Sequence, residues 1–116
     1  MAVLRIVTDL FSEDPQGLAA FYKDVLGIEM AMDGGFIATM TTGRSQTGQI
    51  SFATEGGSGT ELPAVSIEVD ELEPVLDALQ TKGIEPVYGP VDEPWGVRRF
   101  YFRDPSGHLI NVLKHK

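Results

Sequence analysis

The chain has 116 residues, 42% hydrophobic and 22% charged, which suits one globular domain spanning 1–116 with room for a real core. It contains no cysteine, which excludes disulfides, thiolate metal ligands and thiol nucleophiles. Seventeen acidic against nine basic side chains give a formal charge of −8, which repels phosphate backbones and argues against nucleic acid as a partner; it either draws in cationic small molecules or serves solubility alone.

No apolar run approaches a membrane span, and Met1-Ala2-Val3-Leu4-Arg5 is too short for a signal-peptide core. No membrane association and a cytoplasmic location are therefore expected. The first strand candidate is 3–8. A helix is expected from Asp14-Pro15 to Gly27, with Asp14 as cap, Pro15 where its missing N–H costs nothing, and Gly27 as a left-handed stop. Its apolar stripe, Leu18, Phe21, Tyr22 and Val25, has the spacing of one helical face. Strand candidates follow at 28–32, 35–41 and 48–54.

A Gly-rich segment from Glu55 to Pro63 leads to a second half in the same order. A strand is expected at 64–69 and a helix from about Glu71 to Gly83, with Leu72, Val75, Leu76 and Leu79 as its stripe. Strands are expected at 84–88, 97–103 and 108–114, the last two separated by Asp104-Pro105-Ser106-Gly107. After their glycines the two helices continue alike, as Gly27-Ile28-Glu29 and Gly83-Ile84-Glu85. The reading is an α+β fold of two βαβββ units, at about 1–55 and 63–116.

Strand side chains alternate between faces. One face carries Ile6, Ile50, Phe52, Val65, Ile67, Val69, Phe100, Phe102, Ile110 and Val112, and must cover the helices. The other is mostly polar and supplies candidate ligand-binding residues: Arg5, Val7, Gln49, Ser51, Ser66, Glu68, Arg99, Tyr101 and Asn111. Either this face is open to water or the halves curl so that it lines a cleft. Trp95 follows Asp92-Glu93-Pro94 in a loop and joins the candidates as a stacking group for a planar or cationic ligand, or as a cap on the cleft mouth. Glu68 opposite Arg99 or Arg5 reads either as a general acid/base site or as a structural ion pair. Arg98 should point away from Arg99. Ser12 and Ser51 lack a nucleophile elbow, so nucleophilic catalysis is not expected.

Phe21-Tyr22-Lys23-Asp24-Val25-Leu26-Gly27, Pro94-Trp95-Gly96-Val97-Arg98-Arg99-Phe100 and Asp104-Pro105-Ser106-Gly107-His108 together resemble the vicinal-oxygen-chelate superfamily of glyoxalases, bleomycin-resistance proteins and extradiol dioxygenases. The resemblance implies two units curving their sheets into an open barrel around a cleft, usually in a homodimer. It places the metal-ligand positions of the family's enzymes on Val7, Ser51, Ala64 and Asn111, all on the polar face. None is His, Asp or Glu, and hard or borderline divalent ions need such ligands. His108 lies in a turn and His115 in the Lys114-His115-Lys116 tail, where surface roles are expected.

The expectation is a metal-independent protein without a cofactor that binds a small cationic or aromatic molecule, as in antibiotic or toxin sequestration. The alternatives are a glyoxalase-like lyase or isomerase, or a dioxygenase-related enzyme, with a non-standard or absent metal site. A regulatory module with a vestigial cleft is a third reading.

Overall fold

A computed structural model describes residues 1, 5, 7–45 and 49–116, with two helices and six strands in two sheets among them. The chain divides into two compact units, Met1–Phe52 and Ala53–Lys116.

In the first unit, α1 spans Pro15–Leu26. The Asp14 carboxylate accepts from the Gly17 N–H at 3.1 Å, satisfying one of the donors a helix start leaves free. At the other end Gly27 turns left-handed, φ 71°, and its N–H returns to the Lys23 carbonyl. The helix buries Ala19, Phe21, Tyr22 and Val25. Strands β1 (Glu29–Asp33) and β2 (Ala38–Thr41) form an antiparallel hairpin. β2 begins later than the expected residue 35 because the turn extends further. The Gly34 N–H bonds the Ile37 carbonyl, and the Asp33 carboxylate takes the Gly35 N–H. Gln16 Nε2 joins helix to hairpin, donating to Asp33 Oδ1 and the Gly35 carbonyl.

The second unit runs β3 (Val65–Glu68), α2 (Glu73–Thr81), β4 (Tyr88–Asp92), β5 (Val97–Arg103) and β6 (Leu109–His115). Its sheet has the order β3-β6-β5-β4, with β3 parallel to β6 and the other pairs antiparallel. β4 lies later than the expected 84–88. Pro86 has no N–H to give a ladder, so pairing with β5 starts beyond it. Pro90 is tolerated because β4 is an edge strand and the register shifts between Tyr88 and Val91.

The cross-strand rows match the two faces read from alternation. Phe100 stands opposite Val112 and Phe102 opposite Ile110, while Tyr101 stands opposite Asn111. Phe100, Phe102, Ile110, Val112 and the Leu79 of α2 are wholly buried and form the core with Leu72, Val75 and Leu109. Each such side chain contributes about 1.5–3 kcal/mol by leaving water.

Two expected strands are not found among the described residues. Residues 5, 7, 8 and 49–54 carry no strand pairing, while residues 3, 4, 6 and 48, including Ile6 of the expected apolar face, lie outside the described ones. Alternation defines which way side chains point but supplies no hydrogen-bonding neighbour. Ile50 and Phe52 accordingly stand exposed rather than covering a helix.

Candidate functional site

The polar face of the second unit's sheet is built around Arg99 of β5. Its Nε and Nη2 both meet the Glu93 carboxylate, at 2.7 and 2.6 Å, and the two side chains are among the most buried polar groups described. Nη1 donates to the Gly56 carbonyl at 2.8 Å and Nη2 to the Gly57 carbonyl at 3.3 Å. Three rings surround the guanidinium, with centroids 4.9 Å (Tyr101), 5.0 Å (Trp95) and 5.5 Å (Tyr88) from its central carbon. A planar cation among aromatic faces is stabilised electrostatically, more so when desolvated.

Glu93 completes this cluster. Ser58 donates to Oε1 at 2.9 Å and Tyr88 to Oε2 at 3.0 Å. Burial opposes its ionisation, but the hydrogen bonds from Ser58, Arg99 and Tyr88, with the Arg99 charge, outweigh that. The carboxyl is held below its ordinary range.

Next along the face, Tyr101 Oη lies 3.1 Å from the Gly56 carbonyl and 2.7 Å from Thr60 Oγ1. Asn111 is opposite Tyr101 on β6 and Ser66 opposite Asn111 on β3. The Asn111 amide donates to Ser66 Oγ at 3.0 Å, while its buried Oδ1 has no hydrogen-bond partner among the described residues. Exchanging the amide's two ends would move the deficit to the nitrogen without removing it. One end of this amide is therefore a buried polar group left over for hydrogen bonding.

The structure thus gathers Trp95, Arg99 and Tyr101, and sets Asn111 with Ser66 in the next row. Glu68 is engaged elsewhere: its carboxylate meets His115 Nδ1 at 2.7 Å, both exposed, and Arg99 pairs with Glu93. The expected Glu68–Arg99 pair is corrected accordingly, because the turn after β4 brings a nearer carboxylate to the guanidinium. Arg98 points the other way and pairs with exposed Asp92 at 3.2 Å. Arg5, Val7, Gln49 and Ser51 lie exposed in the first unit. His108 sits in its turn, bound through Nδ1 to buried Asp104 at 2.9 Å.

Four contributors escaped the sequence reading: Tyr88, Gly56, Gly57 and Ser58. The Gly-rich segment looks like a connector, and nothing in its composition marks it as an acceptor for Arg99. Glu93 looks like part of an acidic lure for cations, whereas its charge is matched internally. A buried arginine on a strand flanked by Tyr and Trp was the available signal, since such a cation demands a carboxylate nearby.

The metal-ligand positions implied by resemblance do not fit a divalent ion. Ala64 has no donor, Val7 none, Ser51 only a hydroxyl, and the Asn111 amide is neutral and already bonded to Ser66. Among the described residues no three His, Asp or Glu side chains gather as a metal site.

This α+β arrangement, with a strand-helix-three-strand unit carrying a polar sheet face, is that of a glyoxalase-type fold. The chain belongs to the Glyoxalase/Bleomycin resistance protein/Dioxygenase superfamily, whose family model matches residues 4–112. Its fold is similar to that of TioX from a Micromonospora species, at 23% identity and a TM-score of 0.67 over 97% of this chain and 96% of that one. A superfamily member from Sphaerobacter thermophilus is similar at 22% identity and a TM-score of 0.66, covering 99% and 98%. TnmS3, an antibiotic binding protein from a Streptomyces species, is similar at 17% identity and a TM-score of 0.59, covering 100% and 98%. No curated protein matches the chain. No described helix is long and apolar enough to cross a membrane.

Proposed function

We propose that the protein binds a small aromatic molecule on the polar face of the second unit's sheet, without a metal or cofactor, in a sequestering role. The observation that carries this reading is the pairing of a half-exposed indole with an unsatisfied acceptor. Trp95 is 52% exposed while one face of its ring lies on Arg99, and Asn111 Oδ1 lacks a donor among the described residues. A flat ring to stack on and a fixed polar group to orient are what a small-molecule site needs. The structural likeness to an antibiotic binding protein supports an antibiotic or toxin as ligand. The roles proposed for Ser66, Tyr101 and Arg99 are positioning and hydrogen bonding. Arg5, Val7, Gln49, Ser51 and Glu68 are proposed as further contacts.

Ligand binding should quench Trp95, the chain's single tryptophan. Calorimetric titration should show Trp95→Ala weakening the same ligand by about 1–3 kcal/mol, as for a buried aromatic anchor. Unchanged affinity would overturn the reading. Elemental analysis of untagged protein should find less than about 0.1 equivalent of Zn, Ni, Fe or Mn, since no anionic ligand set is offered.

The working form is proposed to be a cytoplasmic homodimer. Phe36, Ile50, Phe52 and Met32 are 87%, 61%, 88% and 55% exposed in the single chain, more apolar surface than a lone unit usually shows. Sedimentation at micromolar concentration should give twice the 12.6 kDa of one chain. The monomer mass would refute it.

A further inference from the structure

Inside the second unit, Arg99 is bound as though by a ligand. Two neighbouring carbonyls, those of Gly56 and Gly57, lie on its Nη1 and Nη2, with Tyr101 Oη beside the first. They belong to a loop of residues 55–60 that closes on itself. The Gly56 N–H bonds the Thr60 carbonyl at 2.9 Å, the Thr60 N–H returns to the Gly57 carbonyl at 3.0 Å, and the Gly59 N–H meets the Glu55 carboxylate at 2.9 Å. Such a loop can lift without losing its own bonds. Ser58 is strained within it: its φ of 53° disfavours a side chain, whereas the flanking Gly57 and Gly59 adopt 89° and 75° freely. The loop's own side chains clasp the rest of the cluster at two points, the Ser58 hydroxyl on Glu93 and the Thr60 hydroxyl on Tyr101.

Charge selects what could replace it. Glu93 already neutralises Arg99, so a carboxylate ligand would add a second negative charge beside the first, in a chain of net charge −8. A cationic ligand would find the aromatic enclosure already holding a guanidinium. Neutral carbonyls suffer neither penalty, and they are what Arg99 holds. One row away, Asn111 Oδ1, in a residue only 6% exposed, lacks a donor among the described residues.

We infer that the Arg99 fork recognises an uncharged planar ligand bearing paired carbonyl acceptors and an N–H donor, and that the 55–60 loop is a removable stand-in for it. This rests on the proposed binding role and narrows its ligand class.

Phthalimide, phthalate and benzamidinium are matched flat probes that are neutral, anionic and cationic at pH 7. Titrated into the 15N-labelled full chain, phthalimide should shift the Arg99 Nε–H, the Gly56, Gly57 and Gly59 amides and the Asn111 side chain together. The charged probes should bind at least about tenfold more weakly, as a desolvated mismatched charge requires. Ser58→Ala removes one of the two clasps without touching Arg99. Gly57→Ala would set a Cβ 2.8 Å from Trp95 Cη2 and so disfavour the closed loop. Both variants should bind phthalimide about three- to tenfold more tightly, because less of the population is self-occupied.

Weaker binding by both variants would show that the loop is part of the site's wall, and the inference would fall. A preference for either charged probe would overturn the ligand class. Either result, or unmoved Arg99 signals while another ligand still quenches Trp95, leaves the broader binding role standing. Absence of any Trp95 response to an aromatic ligand library would remove both.

Discussion

In the second unit Phe100, Phe102, Ile110 and Val112 are wholly buried, whereas in the first Ile50 is exposed and Phe36 and Phe52 are almost as open as in an extended chain. The halves share an order of helix and strand patterns, yet only one assembles a four-stranded sheet among the described residues. Local pairing makes the difference. Residues 97–103 and 108–114 are joined by a tight turn in which Asp104 accepts the Ser106 and His108 N–H groups, so β5 and β6 find each other locally. Among the described residues, 49–54 pair with no strand. Apolar alternation buries a face only where a neighbouring strand is at hand.

The largest expected effect tests whether stability is concentrated in the second unit. Phe100→Ala should cost about 3–5 kcal/mol in chemical denaturation. Phe52→Ala should stay within about 0.5 kcal/mol in the monomer, unless Phe52 is covered in a dimer. Comparable losses at low protein concentration would erase the contrast.

Next in size is the Glu93–Arg99 pair, which has no counterpart described in the first unit. Glu93→Ala strands a buried guanidinium and should cost about 3 kcal/mol. The same pair predicts an acid response. The folded carboxyl titrates below its ordinary 4.5, so its contribution is complete above that value and is lost as pH falls through the lower folded value. Glu93→Gln should remove that part of the stability–pH curve. An unchanged curve would mean that another carboxylate governs acid unfolding.

A smaller effect probes the well-formed part of the first unit. Asp14→Ala should lower stability by about 1 kcal/mol by exposing the helix start. No change by thermal melting would mean that α1 is held by packing alone. The smallest should come from Arg98→Ala, within about 0.5 kcal/mol, because the Arg98–Asp92 bridge is exposed at both ends. It should leave ligand affinity unchanged, while Arg99→Ala abolishes it. Equal effects at the two arginines would contradict the division of the sheet into faces.

Much of this was readable before any coordinates. Asp14, Pro15 and Gly27 mark α1 because capping chemistry is local, and the bounds agree within a residue. β5 occupies the expected 97–103, because four of its seven side chains are strongly directional apolar or aromatic groups between two turns. The grouping of Trp95, Arg99 and Tyr101 follows from parity along one strand and a short loop. What could not be read is which partners those groups take. Gly56 and Gly57 are more than forty positions from Arg99, and backbone carbonyls carry no sequence signature. Strand parity put Glu68 opposite Arg99, and only the turn between β4 and β5 makes Glu93 its counter-ion.

The parallel pairing of β3 with β6 has a consequence for the order of assembly. Val65 must wait for Ile110, about 45 residues further along the chain, whereas β5 and β6 meet across a turn. Closing that long loop costs entropy that the hairpin does not incur. β3 should therefore dock last and peel away first. The Ala64 and Val69 N–H groups, bonded to the Leu109 and Leu113 carbonyls, should exchange with solvent through partial openings that leave the β5–β6 ladder intact. Each such opening also frees Ser66, the hydroxyl that takes the Asn111 amide proton. Breathing at the edge of the sheet and readiness of the amide at its centre are thus one motion.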